Sequence, residues 1–331
     1  MNSGNQIRHA SVLGTGSFLP EGKVTNFDLE KIVETSDEWI TSRTGIQERR
    51  KAGKGEENFR LAIQAAYRAL EMAKLNPLDL DIVIVATMTP HMIMPSCACF
   101  VQAEIGAVNA FAYDINAACS GFLYALDLAD KYIISQPDLK ILVIGSETLS
   151  ARVNWQDRNT CILFGDGAGA CVVTGREDGG GLVGSNICSD GRLWNLLYMH
   201  SPESLNPDLV QEGNNGCHIE MIGRDVFKHA VRAMEESVND LLVQHGLTIE
   251  DVDLMIPHQA NIRILNKLME RLGVAREKVY INVNKYGNTS AASIPIALDE
   301  ANRQGLMKRG DLLLFCSFGG GFTWGSLLMH W

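Results

Sequence analysis

Nowhere in this 331-residue chain do two cysteines stand in a C-x-x-C pair. The eight cysteines are scattered singly, apart from Cys97 and Cys99, a pattern that offers no disulfide framework and suits a reducing cytoplasm. Basic residues are in the minority: 29 Lys and Arg against 39 Asp and Glu leave a net charge of −10. That balance disfavours nonspecific binding to nucleic acid or to an anionic membrane surface, although a local basic patch can still receive an acidic partner. No run approaches the roughly 20 apolar residues of a spanning helix, and the opening MNSGNQIRHASVLG lacks the apolar core of a secretory signal. With 46% apolar and 21% charged residues, the chain can bury one large core or two joined halves without staples. The expected location is the cytoplasm.

What is present is organised around residues 110–131, AFAYDINAACSGFLYALDLADK. Residues 111–115 are apolar enough for a buried strand, and Phe122, Leu123, Leu126 and Leu128 repeat as on a buried helix. Cys119 falls between them, at the first turn of the predicted helix. Unpaired N–H groups and the positive dipole end there would lower its pKa and favour the thiolate. Ser120 and Gly121 leave space for a reactant. On this segment alone, Cys119 reads equally as a small core residue or as a nucleophile.

Upstream, residues 10–19 read as a strand with glycine bends. The TSDE run at 35–38 has capping-box spacing, with Thr35 capping a short helix that carries Trp39 and Arg43. An indole and a guanidinium one helical turn apart can hold a flat aromatic ligand between them, or simply pack on each other. Residues 58–74 form an amphipathic helix and 82–88 a central strand. Residues 89–99, with two prolines and Met92 and Met94, are expected to be a loop that adapts to a flexible apolar group. Residues 140–146 are a further buried strand. FGDGAGACVV at 164–173 lacks the Lys-Ser/Thr of a phosphate loop, so its glycines imply close backbone packing. Glycines 179–181 are the expected junction between halves 1–178 and 182–331, and 200–216 a polar surface excursion.

The second half repeats the first. LDIVI at 80–84 matches VDLMI at 252–256, Ala125-Leu126-Asp127 matches Ala297-Leu298-Asp299, and 141–146 falls on 313–318, all at an offset of 172 residues. Three matches at one offset imply a duplicated α/β unit, two stacked halves with both buried helices at the centre. Loops at the strand C-termini of such sheets gather on one side. His258 follows the strand that mirrors 82–85. Asn288, opposite Asn116 at the same offset, follows a predicted strand at 280–284. Both are therefore expected beside Cys119. SFGGG at 317–321 ends a buried strand in three glycines, whose bare N–H groups can approach a ligand as an oxyanion donor must.

Taken in order, TSDEWITSRTGIQER, DINAACSGF, FGDGAGA, PHQANIRI, YGNTSAASIP and FGGGFTWGS resemble the signatures of the β-ketoacyl-[acyl-carrier-protein] synthase III family, condensing enzymes of thiolase-like fold that start fatty-acid synthesis. The likeness runs nearly end to end. It implies a duplicated five-layer α-β-α-β-α fold and decarboxylative condensation of an acyl-CoA with malonyl-[acyl-carrier-protein]. It further implies Cys119 as the acylated nucleophile, His258 and Asn288 as ligands of the malonyl thioester carbonyl, and the N–H groups of Cys119 and Gly320 as the oxyanion hole.

On the same resemblance Trp39, Arg43 and Arg158 hold the coenzyme A nucleotide, with Thr35 and Asn261 nearby. Lys228, Gln259, Arg263 and Arg271 meet the acyl carrier protein, and Lys228 lies one helical turn from both Arg224 and Arg232. Met94 stands where an aromatic residue often closes the acyl pocket from the partner subunit of a homodimer. No metal and no permanently bound cofactor is implied, coenzyme A entering as its thioester substrate. Glu270, where many members carry Lys, and Arg224, where Asn is usual, are departures. A thiolase would need a second cysteine at Ser317, Cys316 pointing to the opposite face of a strand. A hydroxymethylglutaryl-CoA synthase would need a Glu near the end of the 82–88 strand, and none occurs between Asp81 and Ala103. A ketosynthase or acyltransferase of secondary metabolism with the same three residues is the remaining alternative. Zinc at Cys97, Cys99 and His91 lacks a second ligand pair.

Overall fold

Two sheets of one plan carry the chain, in a computed structural model that describes residues 7–206, 208 and 216–331; positions 207 and 209–215 of the polar excursion lie outside the described residues. The first sheet contains β1 (Ala10–Phe18), β2 (Ile82–Ala86), β3 (Phe111–Ile115), β4 (Ile141–Thr148) and β5 (Asp166–Gly175) in the order β1-β5-β4-β2-β3. β2 runs parallel to β3 and β4, and the other pairs are antiparallel. The second contains β6 (Gly181–Ser189), β7 (Leu254–Pro257), β8 (Leu312–Gly319) and β9 (Thr323–His330) in the order β6-β9-β8-β7, with β7 parallel to β8. Where the first sheet has β3, the second has an isolated parallel bridge between Met255 and Val279. The strand expected at 280–284 does not form. Val283–Tyr286 is a helical turn, because Asn282 is held by the side chains of Gln259 and Glu300 in place of a ladder.

The helices that matter for the site are α1 (Asp37–Thr44), α2 (Asn58–Ala73), α3 (Cys97–Ile105), α4 (Gly121–Ser135), α5 (Gly223–Gln244), α6 (Ile262–Leu272) and α7 (Ser293–Arg303). α4 and α7 lie between the sheets. Phe122, Leu126, Ala297 and Leu298 share one buried cluster with Ile82 and Ile84 of the first sheet and Ile256 and Phe315 of the second. The alternate residues of the same strands, Val83 and Val85 or Leu314 and Cys316, face outward under α2 with α3 and under α5 with α6. Period-two alternation between two apolar faces explains why these strands read as uncharged runs. The layers are α-β-α-β-α, as expected. The glycines of 164–173 do pack backbone on backbone: a Cβ on Gly169 would lie 2.5 Å from Ile296 N. Among the described residues no helix is long and apolar enough to cross a membrane.

Two helix starts differ from expectation. α1 is capped by Ser36, whose Oγ accepts from the Trp39 N–H at 3.1 Å. Thr35 is one residue too early for that bond, and its Oγ1 is buried without a partner. The 89–99 loop ends at Ser96, which caps α3, while Asp114 accepts from the N–H groups of Cys97 and Ala98 at 2.7 Å each. A carboxylate at a helix N-terminus is favourable, so Cys97 and Cys99 are helical.

The repeated Ala-Leu-Asp matches share a task. Asp299 of α7 reaches β1, accepting from Thr15 Oγ1 at 2.8 Å and Ser17 Oγ at 2.6 Å, while Arg303 donates from one turn on at 2.9 Å. Asp127 of α4 accepts from Ser185 on β6, with Lys131 one turn on at 3.0 Å. Each central helix thus pins the edge strand of the opposite sheet. Asp299→Ala would leave two buried hydroxyls without their acceptor, and is expected to lower stability by about 3 kcal/mol in urea unfolding. Asp127→Ala, at a 24% exposed side chain, should cost only about 1 kcal/mol.

Candidate active site

Between β3 and α4 the residues Ala118–Ser120 make one tight turn, and Ser290–Ala292 make the same turn before α7. Each opens on a non-glycine residue in the left-handed region, Ala118 at φ 46° and Ser290 at φ 49°, a conformation that costs on the order of 1 kcal/mol or more. In each the asparagine two residues earlier holds the turn: Asn116 Oδ1 accepts from the Ala118 N–H at 3.1 Å, and Asn288 Oδ1 from the Ser290 N–H at 2.8 Å. The turn residue itself differs, Cys119 in one half and Ala291 in the other. With Oδ1 of Asn288 engaged, its Nδ2 group is the donor left for the cavity.

His258 follows β7, and its Nδ1 lies 2.6 Å from Ser293 Oγ at the start of α7. That oxygen also accepts from the Gln259 N–H at 3.4 Å; when the Ser293 hydroxyl donates to Nδ1, the ring proton sits on Nε2. Burial pushes the His258 pKa down to about 3, which keeps the imidazole neutral.

Cys119, His258, Asn288 and Gly320 line one cavity of about 770 Å³. Trp39, Arg43, Asn261, Arg263 and Arg224 line the same cavity. Arg158 is not part of the wall, but its guanidinium stands 4.7 Å from the Trp39 ring and that of Arg43 4.8 Å. The cysteine turn is braced by the end of β8. Ser317 Oγ donates to the Cys119 carbonyl at 2.8 Å, whereas Cys316 belongs to the outer cluster under α5 and α6.

The Cys119 thiol departs from expectation. It is 8% exposed, and burial pushes its pKa up to about 12, outweighing the Ser290 hydroxyl and the residue's own N–H, which pull the other way. Loss of solvation beats the helix dipole here, and the thiol is protonated at neutral pH. Gln259 is also displaced from its expected role. It is 1% exposed, donates from Nε2 to the carbonyls of Pro257 and Tyr280 and accepts at Oε1 from the Asn282 N–H. It holds the His258 loop and is unavailable to a docking partner.

Lys228 and Arg271 are exposed on α5 and α6, but Arg271 is paired with Glu235 at 2.5 Å and Glu270 with Lys267 at 2.7 Å. Met94 is 84% exposed, and neither it nor Thr35 lines the cavity. Glu147, Ser290, Ser293 and Gly319 are site residues without a chemical signal of their own in the sequence. Only Glu147 leaves a clue, a carboxylate directly following the uncharged run at 141–146.

A cysteine on a strand-to-helix turn that meets a neutral imidazole and a carboxamide from the second copy of a duplicated five-layer unit is the arrangement of thiolase-fold condensing enzymes. The family described as 3-Oxoacyl-[acyl-carrier-protein (ACP)] synthase III matches residues 113–191, and its C-terminal counterpart matches 242–331. The Beta-ketoacyl-[acyl-carrier-protein] synthase III of Desulfotalea psychrophila is 57% identical over 320 residues, covering 97% of this chain and 99% of its own. That of Caldanaerobacter subterraneus is 53% identical over 323 residues, covering 97% and 98%. The crystal structure of 3-oxoacyl-[acyl-carrier-protein] synthase III from Aquifex aeolicus superposes with a TM-score of 0.91 at 51% identity, over 97% of this chain and 100% of its own. The chain belongs to the 3-oxoacyl-[acyl-carrier-protein] synthase III family, acyl-transferring condensing enzymes of fatty-acid synthesis.

Proposed function

We propose that this protein takes an acyl group from coenzyme A onto Cys119 and condenses it with malonyl-[acyl-carrier-protein], in the cytoplasm and as a homodimer. The observation that carries the reading is the convergence of Cys119 from the half 1–178 with His258 and Asn288 from the half 182–331 on one cavity. Transfer to Cys119 exchanges one thioester for another, so it needs a sulfur nucleophile and an oxyanion pocket more than driving force. The N–H groups of Cys119 and Gly320 are that pocket. Loss of CO₂ from the malonyl group then leaves an enolate, and His258 Nε2–H and Asn288 Nδ2–H donate to its oxygen. Both donors are neutral, so they stabilise the charge without delivering a proton to carbon. The enolate carbon attacks the acyl carbon and the Cys119 sulfur departs. No resident cofactor takes part.

Trp39 within reach of the guanidiniums of both Arg43 and Arg158 supports nucleotide binding, the base lying on the ring and the phosphates on the cations, with Thr35 and Asn261 close by. Trp39→Ala is expected to raise KM for acyl-CoA roughly 5- to 150-fold, the worth of one base-on-aromatic stack, with kcat near wild type in steady-state kinetics. Exposed Lys228, Arg263 and Arg271, with Arg224 in the cavity wall, suit an acidic carrier protein approaching an otherwise acidic enzyme. Exposed Ile93 and Met94, together with Phe111 on the free edge of β3, support a dimer in which Met94 closes the partner's acyl pocket. The test is incubation with a panel of acyl-CoAs, intact-mass detection of the Cys119 adduct, and then addition of malonyl-carrier. An adduct that forms on Cys119 and disappears as ketoacyl product appears is expected; labelling elsewhere, or an adduct that malonyl-carrier does not consume, would refute the reading.

A further inference from the structure

The asparagines of the two halves reach their turns by unlike routes. Asn116 follows β3, which pairs along its length with β2. Asn288 follows a segment tied to its own sheet by the isolated bridge at Val279, with the Tyr280 N–H donating to the Met255 carbonyl at 2.9 Å. From there the chain turns through Val283–Tyr286 without a ladder. The Asn288 N–H donates to the Leu163 carbonyl at 2.8 Å, and its carbonyl accepts from the Gly165 N–H at 3.0 Å. Those two bonds hold Asn288 to the half that carries Cys119. They leave its place relative to His258 open.

Glu300 of α7 fills that gap. Its Oε1 accepts from Tyr286 Oη at 2.5 Å, and its Oε2 accepts from Asn282 Nδ2 at 2.7 Å and from Tyr280 Oη at 3.1 Å. Gln304, one turn on, donates to Tyr280 Oη at 2.9 Å. The Asn282 N–H donates to Gln259 Oε1 at 2.9 Å, and Gln259 Nε2 donates at 2.8 Å to the carbonyl of Pro257, the residue before His258. Two turns before Glu300, on the same face of α7, Ser293 Oγ lies 2.6 Å from His258 Nδ1. One helix thus holds the His258 ring at its start and the approach to Asn288 further along.

This polar set is not part of the duplicated plan. At the constant offset Asn282, Tyr286, Ser293 and Glu300 fall on Ala110, Asp114, Gly121 and Leu128, in the half where a strand does the holding. The set occurs only in the half that carries His258 and Asn288. Burial, and then Glu300, push the Tyr280 and Tyr286 hydroxyls above their usual range, so both stay protonated and donate. Gln259, Asn282, Tyr286 and Glu300 are absent from the cavity wall, so their effect on the reaction passes through the residues that do line it.

We propose that Glu300 is a positioning residue for condensation: through Tyr286 and Asn282 it sets Asn288 against His258, so that both donors meet one enolate oxygen. The proposal rests on the reading of those two residues as the donors of the condensation step. Two donors serve one oxygen only while each stays within hydrogen-bond reach of it, and a misplacement of about 1 Å costs on the order of 10²-fold in rate. The Cys119 turn is braced separately, by Ser317, so acylation does not depend on this hold. What the position requires is geometry, not charge. A glutamine there would accept from Asn282 at its oxygen and donate to Tyr286 Oη at its nitrogen.

The test compares Glu300→Ala, Glu300→Gln and Tyr286→Phe in two single turnovers: acylation by acetyl-CoA, and consumption of the preformed acetyl-enzyme by malonyl-carrier, both followed by intact mass. Crystal structures of the variants accompany them. Glu300→Ala should consume its acetyl-enzyme about 100-fold more slowly than wild type and Tyr286→Phe about 10-fold more slowly, with acylation near the wild-type rate in both. Glu300→Gln should recover most of the loss. In an Asn288→Ala background Tyr286→Phe should cost nothing further, because its effect passes through Asn288. The crystals of Glu300→Ala and Tyr286→Phe should show Asn288 displaced relative to His258. Acylation and condensation falling together, Glu300→Gln as slow as Glu300→Ala, additive losses in the double variant, or an unmoved Asn288 would overturn the proposal. Should Glu300→Ala not fold, Tyr286→Phe, which removes a single hydroxyl, decides on the same readouts. Should Asn288→Ala itself condense at the wild-type rate, the functional reading fails instead, and the crystal comparison still decides whether Glu300 places Asn288.

Discussion

Asn288→Asp is expected to keep the acyl-enzyme and lose the condensation. The aspartate preserves the oxygen that holds the Ser290 N–H at 2.8 Å, so the turn carrying the site stays in place. What changes is the other end of the side chain, where the Nδ2 donor becomes a second oxygen of an anion at an 8% exposed position. Loss of a single oxyanion donor costs about 10²- to 10³-fold, and a negative charge beside a developing enolate adds to it. Ketoacyl product should therefore fall by at least about 10³-fold. Acetyl transfer to Cys119, read by intact mass at short times, should stay within a few-fold of wild type. Asn288→Ala, which removes the donor without adding charge, should sit between the two. Equal loss of both half-reactions in the aspartate variant would refute the division of labour between sulfur and donors.

The second large effect belongs to a residue with no functional group. A Cβ on Gly319 would lie 2.6 Å from Cys119 N and 3.2 Å from its Cα and Cβ, contacts that cannot be relieved by rotating a side chain because the atoms are mostly backbone. Gly319→Ala must push the end of β8 and the cysteine turn apart. That displaces the Cys119 and Gly320 N–H groups relative to each other and strains the Ser317 bond to the Cys119 carbonyl. Misplacement of reacting groups by about 1 Å costs on the order of 10²-fold, and overpacking a filled site costs about 1–3 kcal/mol. Acylation and condensation should fall together, unlike in Asn288→Asp, and the midpoint of urea unfolding should drop. Wild-type acylation by a folded Gly319→Ala enzyme would show that the strand end does not set the oxyanion geometry.

Much of this molecule can be read from residue order because it is a duplication. Once 80–84 and 252–256 are aligned, strand ends and helix starts in one half locate their counterparts in the other, and His258 and Asn288 fall beside Cys119 without any knowledge of packing. The aligned aspartates at 127 and 299 proved to be crosswise ties between helix and opposite sheet, a role visible only when both sheets are in place. The alignment misleads where the halves have diverged: β3 has no counterpart strand, since side chains at 259, 282 and 300 satisfy that segment instead.

Local pattern and repeat thus settled the architecture and the meeting of Cys119, His258 and Asn288 at one cavity, since each depends on short-range periodicity or on one constant offset. The protonation of Cys119, the burial of Gln259, the bond of His258 to Ser293 and the burial of Glu147 among Thr87, Met88 and Thr89 were decided by folding alone. Each turns on how completely water is excluded and on hydrogen bonds between segments tens to hundreds of residues apart. Solvation and long-range contact have no signature in any window of the chain.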